Sequence, residues 1–400
     1  MRSTRTPAAP RHGRRTRNFL TVTGLVCALA LTATACNGSD EDTAGDKPAA
    51  GSSRTAPGKV KIPAGVADKL REHGIDVDDW AAGGWKDWDR DKWLSDAKDF
   101  VNPVIEGLWK PERMQSAKEA NKTLSTKDAA ADQGLSDPEP APVEATAEKT
   151  PYHQNAAPVG KVFFDTPEGP AVCSGTVVKD VNHPGRSNLV WTAGHCVHAG
   201  GNGGWYRNIV FVPAYNDLGK SEAQLADASA AEVAPYGNWW VDWASTSNGW
   251  IQGGSETGGT GAAYDYSVLH VKPESGAKSL EETTGALDVD FSAPSATEVA
   301  TMGAWGYPAA PPYNGLKMFK CLDRPGRFSL STSLPTMYRI GCTMTGGSSG
   351  GGWFRVVDGR TKLVSNTSIG PTDNTWLAGP QLGQDAEALY ENMSKTYGGR

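Results

Sequence analysis

From Val159 onward the chain breaks into short runs rich in β-branched and aromatic residues, each closed by Gly, Pro or Asn. The runs are Lys161 to Phe164, Ala171 to Val178, Asn188 to Thr192, Asn208 to Val212, Tyr264 to Val271, Glu298 to Trp305 and Leu363 to Ser368. None has the length or the 3.6-residue period of a helix. Many short strands separated by turn signals predict an all-β barrel or sandwich. The C-terminus differs. Ala386, Leu389, Tyr390, Met393 and Tyr397 fall at helical intervals and predict an amphipathic helix.

Four of the six cysteines lie in this β-rich part: Cys173, Cys196, Cys321 and Cys342. Four cysteines allow three pairings. Nearest-neighbour pairing joins Cys173 to Cys196 and Cys321 to Cys342. Each bridge would close a short loop and contribute about 3 kcal/mol by restricting the unfolded chain. A metal site recruiting His195 and His198 around Cys196 lacks the paired C-x-x-C spacing of zinc ligands.

The front of the chain reads as an address. Residues 1 to 35 carry six arginines and no acid, followed by an apolar and small-residue run from Phe19 to Ala35. That is the charged and apolar order of an export signal, too short and weakly apolar for a permanent span. Ala33-Thr34-Ala35-Cys36 resembles a bacterial lipobox, which makes Cys36 the expected lipidation site and residues 36–60 a polar tether. Without the signal, 33 basic face 45 acidic side chains, a net of −12. This acidity argues against a nucleic-acid partner.

Residues 61–131 read as a helical pro-segment or spacer. Trp93, Ala97, Phe100, Val101, Val104 and Leu108 recur at helical spacing. Trp80, Trp85, Trp88, Trp93 and Trp109 are expected in a core or against a neighbouring domain, not as a carbohydrate platform. Residues 132–158, with prolines at 138, 140, 142, 151 and 158, read as an exposed linker open to proteolysis.

Three short segments carry chemistry. Val190-Trp191-Thr192-Ala193-Gly194-His195-Cys196 sets a histidine just after a strand. Ala263-Tyr264-Asp265-Tyr266-Ser267 sets an acid at the start of another. Gly346-Gly347-Ser348-Ser349-Gly350-Gly351-Gly352 sets serines in a glycine-dense turn. Each alone has a plain structural reading; together, in the order His, Asp, Ser, they describe an activated nucleophile. A serine hydroxyl needs a base in contact, and the base needs an acid to orient it. The G-x-S-x-G pattern of α/β-hydrolases is also met, but that fold places its histidine after the serine. The last histidine here is His270.

Residues 155–400 resemble the chymotrypsin-fold serine proteases, in the bacterial trypsin-like and glutamyl-endopeptidase-like branch. Cys173-Ser174-Gly175, Thr192-Ala193-Gly194-His195-Cys196, Asp265 and Gly347-Ser348-Ser349-Gly350-Gly351 carry the resemblance. It implies two six-stranded β-barrels with the site between them. It implies His195 as base, Asp265 as its orienting acid and Ser349 as nucleophile, with an oxyanion hole from the N–H groups of Gly347 and Ser349. Cys173–Cys196 would clasp the strand before His195 to the turn that carries it. The resemblance puts Thr343 in the specificity pocket, and Ser368 and Gly370 on the substrate-binding strand, with Ser368 near Asp265. Ser348 stands where trypsin-type zymogens carry an Asp, so any control by the front segment should be steric or through folding. Thr343 replaces the acid of arginine- and lysine-directed members, which predicts a neutral pocket. The stretch from Gly200 to Gly261 is expected to be loop decoration, not a cleft rim.

The expectation is an all-β protein of two six-stranded barrels with a C-terminal helix, preceded by a mainly α-helical segment. Its parts are a signal (1–35), tether (36–60), helical segment (61–131), linker (132–158) and catalytic domain (159–400). It should be an extracellular monomeric serine endopeptidase, secreted or anchored to the outer face of the cytoplasmic membrane as a lipoprotein, acting on protein or peptide substrates, with no cofactor and no metal. An inactive homologue used as a binding module, and an esterase on the same fold, are the alternatives.

Overall fold

The computed structural model describes residues 102, 104–120, 122–124, 135–201 and 203–398, together with the isolated positions 60, 61, 76 and 79. The signal, Cys36 and most of the expected helical segment lie outside the described residues.

In the front part, two-residue strands β1 (Val60–Lys61) and β2 (Val104–Ile105) pair with each other. Helix α1 (Pro111–Ser116) follows, then strands β3 (Lys118–Glu119) and β4 (Thr123–Leu124). The helical stripe expected through Val104 and Leu108 is not helical there: Val104 is in a strand and the chain turns over residues 106–109. Apolar contact, not helical period, sets these positions. Trp109 is buried against Phe163 with ring centroids 5.4 Å apart, and its indole N–H donates to the Asn208 carbonyl at 2.7 Å. Asn102 caps the same barrel by bonding Ile209 and Val241 backbone groups.

Residues 135–158 are not a free linker. Strand β5 (Thr146–Ala147) joins the second barrel, Asp137 pairs with Arg327 at 2.8 Å, and Ala145, Glu148 and Tyr152 are buried. Backbone pairing asks nothing apolar of the sequence, so a Pro/Ala/Glu stretch can be bound this way.

The first barrel consists of β6 (Val159–Thr166), β7 (Gly169–Val178), β8 (Leu189–Thr192), β9 (Arg207–Pro213), β10 (Trp239–Thr246) and β11 (Ser267–Pro273). The order β7-β6-β9-β10-β11-β8 is closed by pairing of β7 with β8. Side chains alternate as the pleat requires. Val162 and Phe164 point into a core with Val190, Phe211, Val241 and Leu269, while Phe163 points outward into a second core. Strand β10 lies inside the stretch expected to be loop decoration, which is corrected here. Its residues fill the barrel wall, and a register shift between Val241 and Trp243 hides its alternation.

The second barrel comprises β12 (Asp288–Val289), β13 (Met302–Gly306), β14 (Phe319–Asp323), β15 (Gly326–Phe328), β16 (Met337–Gly341), β17 (Gly352–Val357), β18 (Arg360–Asn366), β19 (Gly370–Pro371) and β20 (Trp376–Pro380). Its six longer strands are β13, β14, β16, β17, β18 and β20, and their pairings fall in two sheets. The sheet β12-β18-β17-β13-β14-β5 faces the sheet β15-β16-β20. Side chains join the two: Ser365 donates to the Pro380 carbonyl at 2.7 Å, the Gly341 N–H to Asp323 at 2.8 Å, and Cys321 bonds Cys342. The C-terminal helix α2 (Gln384–Tyr397) forms as expected and buries Ala386, Tyr390 and Met393. Among the described residues no helix is long and apolar enough to cross a membrane.

Candidate active site

Strand β8 ends at Thr192, and the chain turns sharply through Gly194–Cys196. Cys196 bonds Cys173 of β7, which holds this turn against the barrel wall. Both sulfurs are consumed by the bond, so the thiolate that a metal site around Cys196 would need does not exist. His195 is fully buried between this turn and Trp250, ring centroids 5.9 Å apart.

Asp265 closes the turn Gly259–Tyr264 just before β11. Its carboxylate takes His195 in two grips: Nδ1 lies 2.7 Å from Oδ2, and the backbone N–H donates to Oδ1 at 2.8 Å. The Ser368 hydroxyl donates to Oδ2 at 2.6 Å. A buried carboxylate needs such donors to replace lost hydration. The Asp265 carbonyl is in turn bonded by Asn366 Nδ2 at 2.9 Å, whose Oδ1 accepts from the Trp191 indole at 3.0 Å. With the proton on Nδ1 directed at Asp265, Nε2 carries a lone pair. Nε2 is buried and has no hydrogen-bond partner among the described residues.

The serine turn follows β16. Ser174 N–H donates to the Ser349 carbonyl at 2.7 Å, and Ser174 Oγ donates to the Gly347 carbonyl at 2.9 Å. Thr192 Oγ1 donates to the Ser174 carbonyl at 2.8 Å, so the serine turn and the histidine strand share one anchor. Gly350 has φ +75°, and a Cβ there would lie 2.1 Å from Thr192 Oγ1 and 2.8 Å from the Ala193 nitrogen. Only glycine lets the turn come this close to the His195 segment. Gly347, at φ +95°, also needs glycine. Within the turn, the N–H groups of Ser348, Gly350 and Gly351 are hydrogen-bonded, whereas those of Gly347 and Ser349 have no partner among the described residues. The Ser348 hydroxyl is committed to the Thr345 carbonyl at 2.7 Å, while the Ser349 hydroxyl has no partner among the described residues.

Of the other expected positions, Ser368 lies on Asp265 as read from the sequence, and Gly370 opens strand β19 two residues on. Thr343 is engaged by the front part of the chain: its N–H donates to the Val143 carbonyl, and its hydroxyl accepts from Ala145 N–H at 2.9 Å. That engagement comes from the stretch read as a linker and was invisible from spacing.

No family model matches the chain, and no curated protein matches it. Solved structures do. The thermostable serine protease AL20, from an extremophilic microorganism, is 31% identical; the match covers 60% of this chain and 98% of that one, with a TM-score of 0.48. The protease Anisep from Arthrobacter nicotinovorans is 28% identical over 62% of this chain and 99% of that one, with a TM-score of 0.50. A Glu endopeptidase is 13% identical over 65% and 99%, with a TM-score of 0.45. Anisep is matched over nearly its whole length, and the closed six-stranded barrel agrees. The chain has the chymotrypsin fold.

Within this chymotrypsin fold, sequence reasoning gave no role to Ser174, Trp191, Trp250 or Asn366, although Ser174 and Trp191 lie inside the motif segments. Their burial and hydrogen bonds hold the three segments together. His198 belongs to the same support, since its carbonyl accepts from the Trp250 indole at 2.8 Å. Burial pushes its pKa down to about 4, and Gly200 N–H donates to Nδ1 at 3.0 Å. Between that value and about 6.5 the unfolded chain binds more protons than the folded one. Stability is therefore full above pH ~6.5 and falls as pH drops toward 4, by about 3 kcal/mol in total. His198→Asn should flatten this part of the profile in urea melts between pH 7 and 4. Equal slopes in variant and parent would contradict it.

Proposed function

We propose that this protein is an exported serine endopeptidase that cleaves peptide bonds through an acyl-enzyme on Ser349. One observation carries the reading. His195 is pinned to Asp265 at Nδ1, its Nε2 has no partner, and beside it sits a serine turn with a free hydroxyl and two unbonded N–H groups. In the proposed mechanism Ser349 Oγ attacks the scissile carbonyl carbon while His195 Nε2 takes its proton. The carbonyl oxygen becomes an oxyanion facing the N–H groups of Gly347 and Ser349. Collapse breaks the C–N bond, and the imidazolium returns its proton to the leaving amine. Water then repeats the cycle on the ester: His195 takes its proton, the acid is released and Ser349 recovers its hydrogen. Asp265 keeps the tautomer and stabilises the cation. The two disulfides and the arginine-rich leader support export to an oxidising compartment. Cys36 remains the proposed anchor.

Incubation with matched peptide and ester libraries tests this. New peptide amino termini that vanish in a Ser349→Ala chain are expected. Hydrolysis of esters alone would assign an esterase, and hydrolysis of neither would leave a binding module.

A further inference from the structure

The front segment pairs with a strand of each barrel. Strand β3 lies parallel on β7 of the first barrel, with Lys118 opposite Ala171 and Glu119 opposite Val172. A few residues later β4 lies parallel on β19 of the second barrel, with Thr123 opposite Gly370 and Leu124 opposite Pro371. Leu124 is buried in an apolar nest with Ala262, Ala263, Ile369 and Trp376. Lys122, also buried, lies in the field of Asp265, Glu256 and Glu168, and burial lowers its proton affinity. Upstream the segment is moored by Trp109 and by the Arg113–Asp165 ion pair at 2.6 Å.

The direction of this pairing matters. Strand β19 leads away from Ser368, which touches Asp265. A parallel partner therefore starts near the catalytic pair, at Lys122, and leaves it, at Leu124. A substrate must keep its acyl half bound through both half-reactions. If β19 holds that half, its chain has to run toward Ser349, antiparallel to β19. The resident segment covers the same edge by strand addition but runs the opposite way. It thus blocks the edge without presenting a carbonyl in the productive direction.

We infer that residues 118–120 and 122–124 belong to a built-in inhibitor that occupies the substrate strand and keeps the full chain latent; this rests on the serine-protease reading above. Leu124 is its anchor. A Leu124→Asp substitution puts a carboxylate into the apolar nest and should expel β4.

The test uses the full chain and its Leu124→Asp variant. Three readouts are followed: fluorophosphonate labelling, cleavage of a fluorogenic peptide library, and backbone hydrogen exchange at residues 369–378. The variant should label and cleave at least about tenfold faster, because the competent fraction rises, and its edge should exchange faster. A synthetic peptide of residues 116–126 should restore inhibition, and the same peptide with Asp at the Leu124 position should not. Equal labelling and cleavage in both chains, with no effect of either peptide, would overturn the inhibitor while leaving the protease intact. No labelling or cleavage in any sample would overturn the protease reading and the latency together, whereas exchange would still report whether the edge is covered.

Discussion

Ser349→Ala is expected to lower kcat by about 10⁴- to 10⁶-fold with the fold intact. The substitution removes one hydroxyl that makes no hydrogen bond among the described residues, so its structural cost is small. The turn itself is held by backbone groups: the Ser349 carbonyl by Ser174, the Gly350 N–H by the Thr367 carbonyl at 2.8 Å. Substrate binding and the two free N–H groups survive, and KM should change little. Ser348→Ala gives the contrast. Its hydroxyl already donates to Thr345, and its loss should cost roughly 1 kcal/mol of stability and leave the nucleophile in place. Both variants are measured by steady-state peptide hydrolysis and circular dichroism, in the Leu124→Asp background so that occupancy of the edge does not mask reactivity. Loss of activity in the Ser348 variant with retention in the Ser349 variant would reverse the assignment.

Asp265→Asn should lower kcat by about 10⁴-fold through the tautomer of His195. Asp265 accepts three hydrogen bonds, from His195 N–H, His195 Nδ1–H and Ser368 Oγ–H. An amide of the same shape offers one oxygen and one NH₂ group. Its oxygen can serve only one side, so the NH₂ faces a former donor. The neutral imidazole relieves that clash by moving its proton from Nδ1 to Nε2. Nε2 then meets Ser349 as a donor and cannot take its proton. The expected signature is a large fall in kcat with unaltered KM and an unaltered melting profile near neutral pH. A loss below tenfold would show that Asp265 does not set the tautomer.

The parts legible in the sequence are those whose chemistry needs particular residues at particular places. Gly350 is demanded by its positive φ and by Thr192 pressing on its Cα, and the Gly-Ser run announced that turn. Helix α2 was legible because its apolar residues repeat at a helical period and face one barrel; Tyr397 stacks on Trp243 at 4.5 Å. Strand β10 was not. It carries Trp239, Trp240 and Trp243 across a register shift, and half-buried Asp242 sits where a polar residue suggests solvent, held there by Lys272 at 3.1 Å. Residues 135–150 were misread for another reason. Their binding is by backbone pairing and by pairs such as Glu148 with Lys320 at 3.0 Å, which composition does not encode. Asn366 has no motif at all: 175 residues beyond Trp191 in sequence, it ties that indole to the Asp265 carbonyl. The same limit applied to β4, whose Thr-Leu sequence reads as nothing until it is laid on Gly370.

The most direct measurement of the proposed chemistry is the site of covalent modification by a fluorophosphonate, read by peptide mass mapping of the labelled Leu124→Asp chain. The account predicts one adduct, on Ser349, lost when His195 is replaced by Ala. An adduct on Ser348 or elsewhere, or labelling that persists without His195, would contradict it.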